Sequence, residues 1–244
     1  GGGPPLSTLR LVGCMVGDRG CMRIADSNLA KSLTSLDLTG TSVRNAGVTV
    51  IASASTSLQV LRVNSCALIG DAALQALSPP ASRLPLAELD LKYADISAEA
   101  LGGVLSSGKL QVLSVAFCSS LSSVGLERIF DPVLRNASAL RVLNLGGLTL
   151  EWPLIRMLAR LPSLTWLNVT DTLIQGVTPA GCGGSVKGVG STSKQREAML
   201  KGSGVRCYEY VATISPLPLL VASATPRVKL SPTPRPGSST HGGG

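Results

Sequence analysis

One spacing organises the chain. The pattern Leu-x-x-Leu-x-(Leu/Val) occurs seven times, at Leu6-Leu9-Leu11, Leu33-Leu36-Leu38, Leu58-Leu61-Val63, Leu86-Leu89-Leu91, Leu110-Leu113-Val115, Leu140-Leu143-Leu145 and Leu164-Leu167-Val169. Successive copies begin 27, 25, 28, 24, 30 and 24 residues apart. A single copy is noise. Seven at this spacing describe units too short to bury an apolar face alone, which must stack on one another.

The second half of the unit repeats independently. Val16-x-Asp18-x-Gly20-Cys21-x-x-Ile24 returns as Val43-x-Asn45-x-Gly47-Val48-x-x-Ile51, then as Ile69-x-Asp71-x-Ala73-Leu74-x-x-Leu77. It returns twice more, from Ile96 to Val104 and from Leu121 to Ile129. Asp18, Asn45, Asp71 and Ser123 can accept from the free N–H groups of a starting helix. The Gly or Ala two residues later permits a close helix–strand approach, and the apolar pair three apart faces the core. Each unit is therefore expected to be a short strand, a turn and a helix. The fold expected is an α/β leucine-rich repeat solenoid of about seven repeats over 6–174. It is a right-handed horseshoe with parallel strands on the concave side and helices on the convex side. In the sixth repeat the helix signature is lost around Glu151-Trp152-Pro153, and a helix start at Pro153 is expected.

Cys14, Cys66 and Cys118 fall five residues after the middle leucine of their repeats, before the (Val/Ile/Leu)-x-(Asp/Asn/Ser) step. In this the chain resembles the cysteine-containing class of leucine-rich repeats, found in F-box/LRR proteins and ribonuclease-inhibitor-like solenoids. Thr41, Ala94, Leu148 and Thr172 depart from the pattern. The resemblance implies a protein-binding module, the substrate-recognition part of an SCF-type ubiquitin ligase subunit. A Skp adaptor and cullin would be partners only if an F-box precedes Gly1. The alternative is a structural scaffold of a ciliary or organellar assembly.

The ends differ in composition. A Gly/Pro leader occupies 1–5. A Gly-rich stretch, 175–190, is expected to be a flexible insertion, and 191–211 an atypical capping repeat with a last strand within 205–211. Residues 212–244 hold six Pro, no aromatic and no acidic residue and are expected to be a disordered basic tail. Nothing before Leu6 covers the first repeat, so a covering domain or partner is expected there. The formal net charge of +8 is concentrated beyond the repeats, since 1–174 carries only +2. That argues against nucleic acid as the partner. No apolar run reaches the length of a membrane span.

Strand parity locates a surface. The residues between the inward leucines are Arg10, Asp37, Arg62, Asp90, Ser114, Asn144 and Asn168, and the next column includes Asn64 and Lys92. Tyr93, Phe117 and Trp166 stand near them, three of seven aromatics in the chain. Aromatic and Arg side chains are the usual anchors of interfaces. The candidate protein-binding face is thus Arg10, Asp37, Arg62, Asn64, Asp90, Lys92, Tyr93, Phe117, Asn144, Trp166 and Asn168. Arg62 is expected to pair with Asp90 or Asp37.

No cofactor, metal or catalytic set is expected. The single histidine, His241, lies in a Gly-rich end. Cys14, Cys66 and Cys118 sit in alternate repeats, roughly twice 4.8 Å apart, too far for one zinc. All three read as small buried residues, and reduced thiols suit a cytoplasmic or nuclear compartment (a ciliary one under the alternative). Glu88 and Asp90 share a face, but Lys92 beside them makes them surface charge rather than an acid–base pair.

Overall fold

The structure, a computed structural model, describes residues 5–135, 139–175 and 206–207. The expected flexible insertion at 175–190, apart from Gln175, and the expected basic tail at 212–244 lie outside the described residues, and of the expected capping repeat at 191–211 only 206–207 are described.

Along the chain the strands are β1 (Thr8–Arg10), β2 (Ser35–Asp37), β3 (Val60–Arg62), β4 (Glu88–Asp90), β5 (Val112–Ser114), β6 (Val142–Asn144), β7 (Thr149–Glu151), β8 (Trp166–Asn168), β9 (Leu173–Gln175) and β10 (Arg206–Cys207). Eight of them form one parallel sheet in the order β1-β2-β3-β4-β5-β6-β8-β10. The middle leucines lie in register from strand to strand: Leu9, Leu36, Leu61, Leu89, Leu113, Leu143 and Leu167. Cys207 continues that row beside Leu167. From Leu36 to Leu167 these leucines have no exposed surface. Leu9 is only half-buried, because β1 has one described neighbour.

The helices are α1 (Asp18–Ala25), α2 (Leu29–Ser32), α3 (Asn45–Ala54), α4 (Asp71–Leu77), α5 (Ala98–Leu105), α6 (Ser123–Arg135) and α7 (Trp152–Leu158). α1, α3, α4, α5, α6 and α7 each follow one strand of the main sheet, and their apolar pairs, such as Leu74 with Leu77 and Leu101 with Val104, close the core. Pro153 stands in the first turn of α7, where its missing N–H costs nothing. In the sixth repeat strand β7 pairs in parallel with β9 and runs directly into α7. In earlier repeats the same second ladder survives as single bridges, Gly17 with Ser42, Arg44 with Leu68 and Gly70 with Asp95.

The polar residues at the helix starts do a different job from the one expected. Asp18 Oδ1 accepts from the amides of Arg44 and Gly47, at 2.8 and 3.0 Å. Asn45 accepts from Gly70, Asp71 from Ser97, and Ser123 Oγ from Glu151, at 2.8, 2.7 and 2.9 Å. Each therefore caps the helix of the following repeat, not its own. Arg44, Gly70, Ser97 and Glu151 are the N-cap residues of α3, α4, α5 and α7. Gly47 is required at this contact, since a Cβ there would lie 2.7 Å from Asp18 Oδ1. Ala98 cannot make the bond, and Ser122 serves α6 locally through the Gly125 amide.

Two cysteines also reach across repeats. Cys66 Sγ donates to the Leu38 carbonyl and Cys118 Sγ to the Leu91 carbonyl, both at 3.2 Å. Cys14 corrects the expectation of three buried thiols: it is exposed. The carbonyl that receives Cys66 or Cys118 belongs to the preceding repeat, and no described repeat precedes Cys14. Burial pushes the Cys118 thiol up to about 11, and Cys21 likewise, helped there by the nearby Asp18 carboxylate.

Three outcomes follow from this packing. Leu113→Ala should cost about 2–5 kcal/mol in denaturant unfolding, because two neighbouring strands and the core prevent collapse of the cavity. Asp71→Ala should cost about 1–2 kcal/mol by leaving the Ser97 amide without its acceptor, although Ser97 Oγ still caps α5 through the Ala100 amide, and a cost below a few tenths would contradict the cross-repeat role. Mass-mapped alkylation of the native protein at pH 8 should modify Cys14 readily. Cys21 and Cys118 should react only after unfolding, because they are buried and little thiolate exists so far below their pKa.

Candidate protein-binding surface

The inward leucines turn the alternate side chains of each strand to the opposite face of the sheet. Arg10, Asp37, Arg62, Asp90, Ser114, Asn144 and Asn168 form one column there by strand register. Four of them are engaged locally. Asp37 accepts from the Thr39 amide, Asp90 from Lys92, Asn144 from Gly146 and Asn168 from Thr170, at 3.1, 3.3, 3.1 and 2.8 Å. A carboxylate or amide at this position satisfies the chain as it leaves the strand. These residues thus have a structural role that their parity alone did not indicate.

The charged half of the face neutralises itself. Arg62 donates to Glu88 at 2.8 Å through Nε and lies 3.8 Å from Asp37. It makes the expected pair with Asp37. Its second partner is Glu88 rather than Asp90: Arg62 and Asp90 are opposed in register, and the long side chain leans to the diagonal neighbour. Arg10 also approaches Asp37, at 3.7 Å, and Lys92 stands 4.0 Å from Asp90. Burial pushes the Asp90 carboxyl above its ordinary range, and Lys92 works against that shift. Toward β8 the column becomes uncharged, with Ser114, Asn144 and Asn168, and Trp166 lies half-buried two residues before Asn168.

The turn leaving each strand imposes a second periodicity. The fourth residue after every middle leucine has a left-handed backbone: Gly13, Gly40, Ser65, Tyr93, Phe117, Gly147 and Asp171, with φ between 57° and 72°. Three are glycine, and Ser and Asp are small. Tyr93 and Phe117 are bulky, and a side chain of that size in this region is a backbone outlier. Their rings stack, with centroids 4.9 Å apart and planes 7° from parallel. Yet Tyr93 is 55% and Phe117 41% exposed. A Cβ on Gly147 would overlap the Phe117 ring, so the glycine that follows makes room for it. Val12, Met15, Leu68 and Leu173 are exposed apolar residues of the same set of loops. The exposed rings and apolar side chains thus stand on the rim where strand turns toward helix. Asn64 sits below it, bonded to the Ser65 hydroxyl at 2.8 Å.

Beside the rings, between the loops of the fifth and sixth repeats, lies a cleft of about 410 Å³. Its walls are the Ser119-to-Val124 turn and the segment from Gly147 to Thr149, with Glu151. Sequence reasoning did not find it, because it requires two loops 28 residues apart to face each other. The glycines at positions 13, 40 and 147 were the available signal for the strained turn. Among the described residues no group of three or more His, Cys, Asp or Glu is placed to hold a metal ion.

The Leucine Rich repeat family pattern matches residues 30–52 and 54–78, the second and third repeats. No curated protein sequence matches the chain. Among solved structures it is similar to internalin C2 of Listeria monocytogenes, at 18% identity over 72% of this chain and 76% of that one, with a TM-score of 0.47. It is also similar to a chain of the Rad7 and Elc1 complex of yeast, at 16% identity over 79% and 69%, with a TM-score of 0.44. Two repeats are matched by the family pattern and seven strands stand in leucine register, so the chain has the leucine-rich repeat solenoid fold.

Proposed function

We propose that the chain is the partner-recognition module of a larger assembly. It captures a protein across the strand face and the strand-to-helix rim of its central repeats. The observation that carries this reading is the Tyr93–Phe117 stack. Two adjacent repeats hold large rings in a backbone conformation that costs roughly 1–2 kcal/mol each for an L-residue. Neither ring is in the core. Strain retained where it brings no burial is a mark of function. The paired ions of the face, by contrast, lose solvent when covered and return little affinity.

The finer role we propose is substrate recognition for an SCF-type ubiquitin ligase. It rests on the resemblance of the cysteine-containing repeats to F-box/LRR proteins. In that role the Skp adaptor and cullin would be engaged by an F-box and the substrate by the repeats.

The double variant Tyr93→Gly with Phe117→Gly separates binding from folding. Glycine relieves the left-handed strain while the stack is lost, worth about 0.5–1.5 kcal/mol. Stability should therefore fall by no more than about 1 kcal/mol in denaturant unfolding. Affinity capture from native lysate should nevertheless lose its partners, since each anchor is worth about 2 kcal/mol, roughly thirtyfold in Kd. Skp adaptor and cullin recovered with the full-length protein would support the ligase role. Axonemal or organellar subunits recovered without them would replace it with the scaffold. Equal capture by the folded double variant would remove the rim from the interface.

A further inference from the structure

We propose that Asn144 and Asn168, side by side on the strand face, form a pair of amide donors that receives a carboxylate of the partner protein. The inference rests on the protein-binding reading above and adds a second contact with its chemistry.

The fold fixes one arm of each amide and leaves the other open. Asn144 Oδ1 accepts from the Gly146 amide and Asn168 Oδ1 from the Thr170 amide, at 3.1 and 2.8 Å. The Thr170 hydroxyl also donates to Asn168 Oδ1. With the oxygen tied to its own turn, the NH2 group of each planar amide points away from that turn. Among the described residues neither Nδ2 has a hydrogen-bond partner. Asn168 is only 7% exposed, so its donors have lost much of their water without a protein acceptor in exchange.

The column supplies an internal comparison. Asp37 and Asp90 hold the same position in the second and fourth repeats and accept from the Thr39 and Lys92 amides in the same way. Closing the turn therefore needs only an oxygen. Asp and Asn differ here in the second arm alone, an acceptor in one and two N–H donors in the other. Nothing in the turn uses the amide nitrogens.

Register and charge set what fits. Asn144 and Asn168 are paired between β6 and β8, on neighbouring strands about 4.8 Å apart. A carboxylate can offer one oxygen to each nitrogen across such a gap. It is also a group that only accepts. A carboxamide or an ammonium brings N–H donors of its own, and the acceptors here are taken. Both Oδ1 atoms serve their turns, and the neighbouring Ser114 Oγ is buried. The outward positions of β5, β6 and β8 hold no ionisable side chain. Asp171 on the rim opposes an anion, and Arg141, as far before Asn144 as Asp171 is after Asn168, favours one. Asp90 stands beside Lys92, two strands from Asn144. That separation of about 10 Å exceeds the Debye length of about 8 Å. Half-buried Val142 and Trp166, two residues before the asparagines, give the stem of an Asp or Glu an apolar bed.

A random peptide library displayed on phage, panned against the full chain, tests this. Selected peptides are synthesised and titrated by NMR that observes side-chain amides. They should carry Asp or Glu and shift the NH2 resonances of Asn144 and Asn168. Replacing the acidic residue of the peptide by its amide should weaken binding about tenfold, the loss of a charge-assisted contact. Asn144→Asp with Asn168→Asp should weaken it at least as much, and should favour the same peptide carrying Lys instead. Asp37 and Asp90 show that Asp closes this turn, and the backbone amide spectrum checks the fold. Asn144→Ser with Asn168→Ser, the residue Ser114 already places in the column, removes the donors without adding charge and should also weaken binding. The proposal falls if the selected peptides lack an acidic residue, if its amide counterpart binds equally well, or if the folded variants bind as tightly as the native chain. If peptides shift the Tyr93 and Phe117 rings but neither Asn side chain, the rim interface stands and the carboxylate contact falls. If no peptide is selected, or none moves either set, the recognition reading falls with it.

Discussion

Three-residue strands cannot hold themselves together, and everything in this molecule depends on how they stack. A central leucine such as Leu89 or Leu113 loses its contact with water only because a strand lies on each side of it and a helix behind. Burying one such side chain contributes about 1.5–3 kcal/mol, and the row is filled without a gap from Leu36 to Leu167. Stability is thus a property of adjacency. Each unit contributes mainly through its two interfaces, as expected for a one-dimensional array.

Polar bonds reinforce the same logic. The side chains of Asp18, Asn45, Asp71 and Ser123 serve the next helix, and the thiols of Cys66 and Cys118 serve the previous strand turn. One set of bonds runs forward along the stack and the other backward. Both tie a repeat to its neighbour rather than to itself. A residue that looks like a local cap is therefore part of the inter-repeat interface. The ladder is interrupted at Ala98, where the local Ser122 cap takes over.

The strand face and its rim differ in how far their side chains are committed to the fold. On the face, Arg62, Asp37 and Glu88 satisfy one another, and Asp90, Asn144 and Asn168 close the turns that follow. These paired ions and acceptor oxygens are committed before any partner arrives. On the rim, Tyr93 and Phe117 hold costly backbone conformations and remain exposed.

The number of repeats, their strand-turn-helix content and the inward leucines were legible in the sequence, because a period-two strand and a stacked register leave little freedom once seven copies exist. The column of face residues followed from the same parity. The partners of those residues did not. Whether Arg62 turns to Asp90 or to Glu88, and whether Asp71 caps its own helix or the next, depends on a few ångströms of offset between repeats whose spacing is not uniform. The left-handed turn was visible as glycines at three of its seven positions, but the stack of Tyr93 on Phe117 and the cleft ending at Glu151 exist only when successive loops are laid side by side. Sequence determined what each repeat is, since that rests on local periodicity. Tertiary structure decided what the repeats do together, since contacts between loops some 25 residues apart are set by packing and not by pattern.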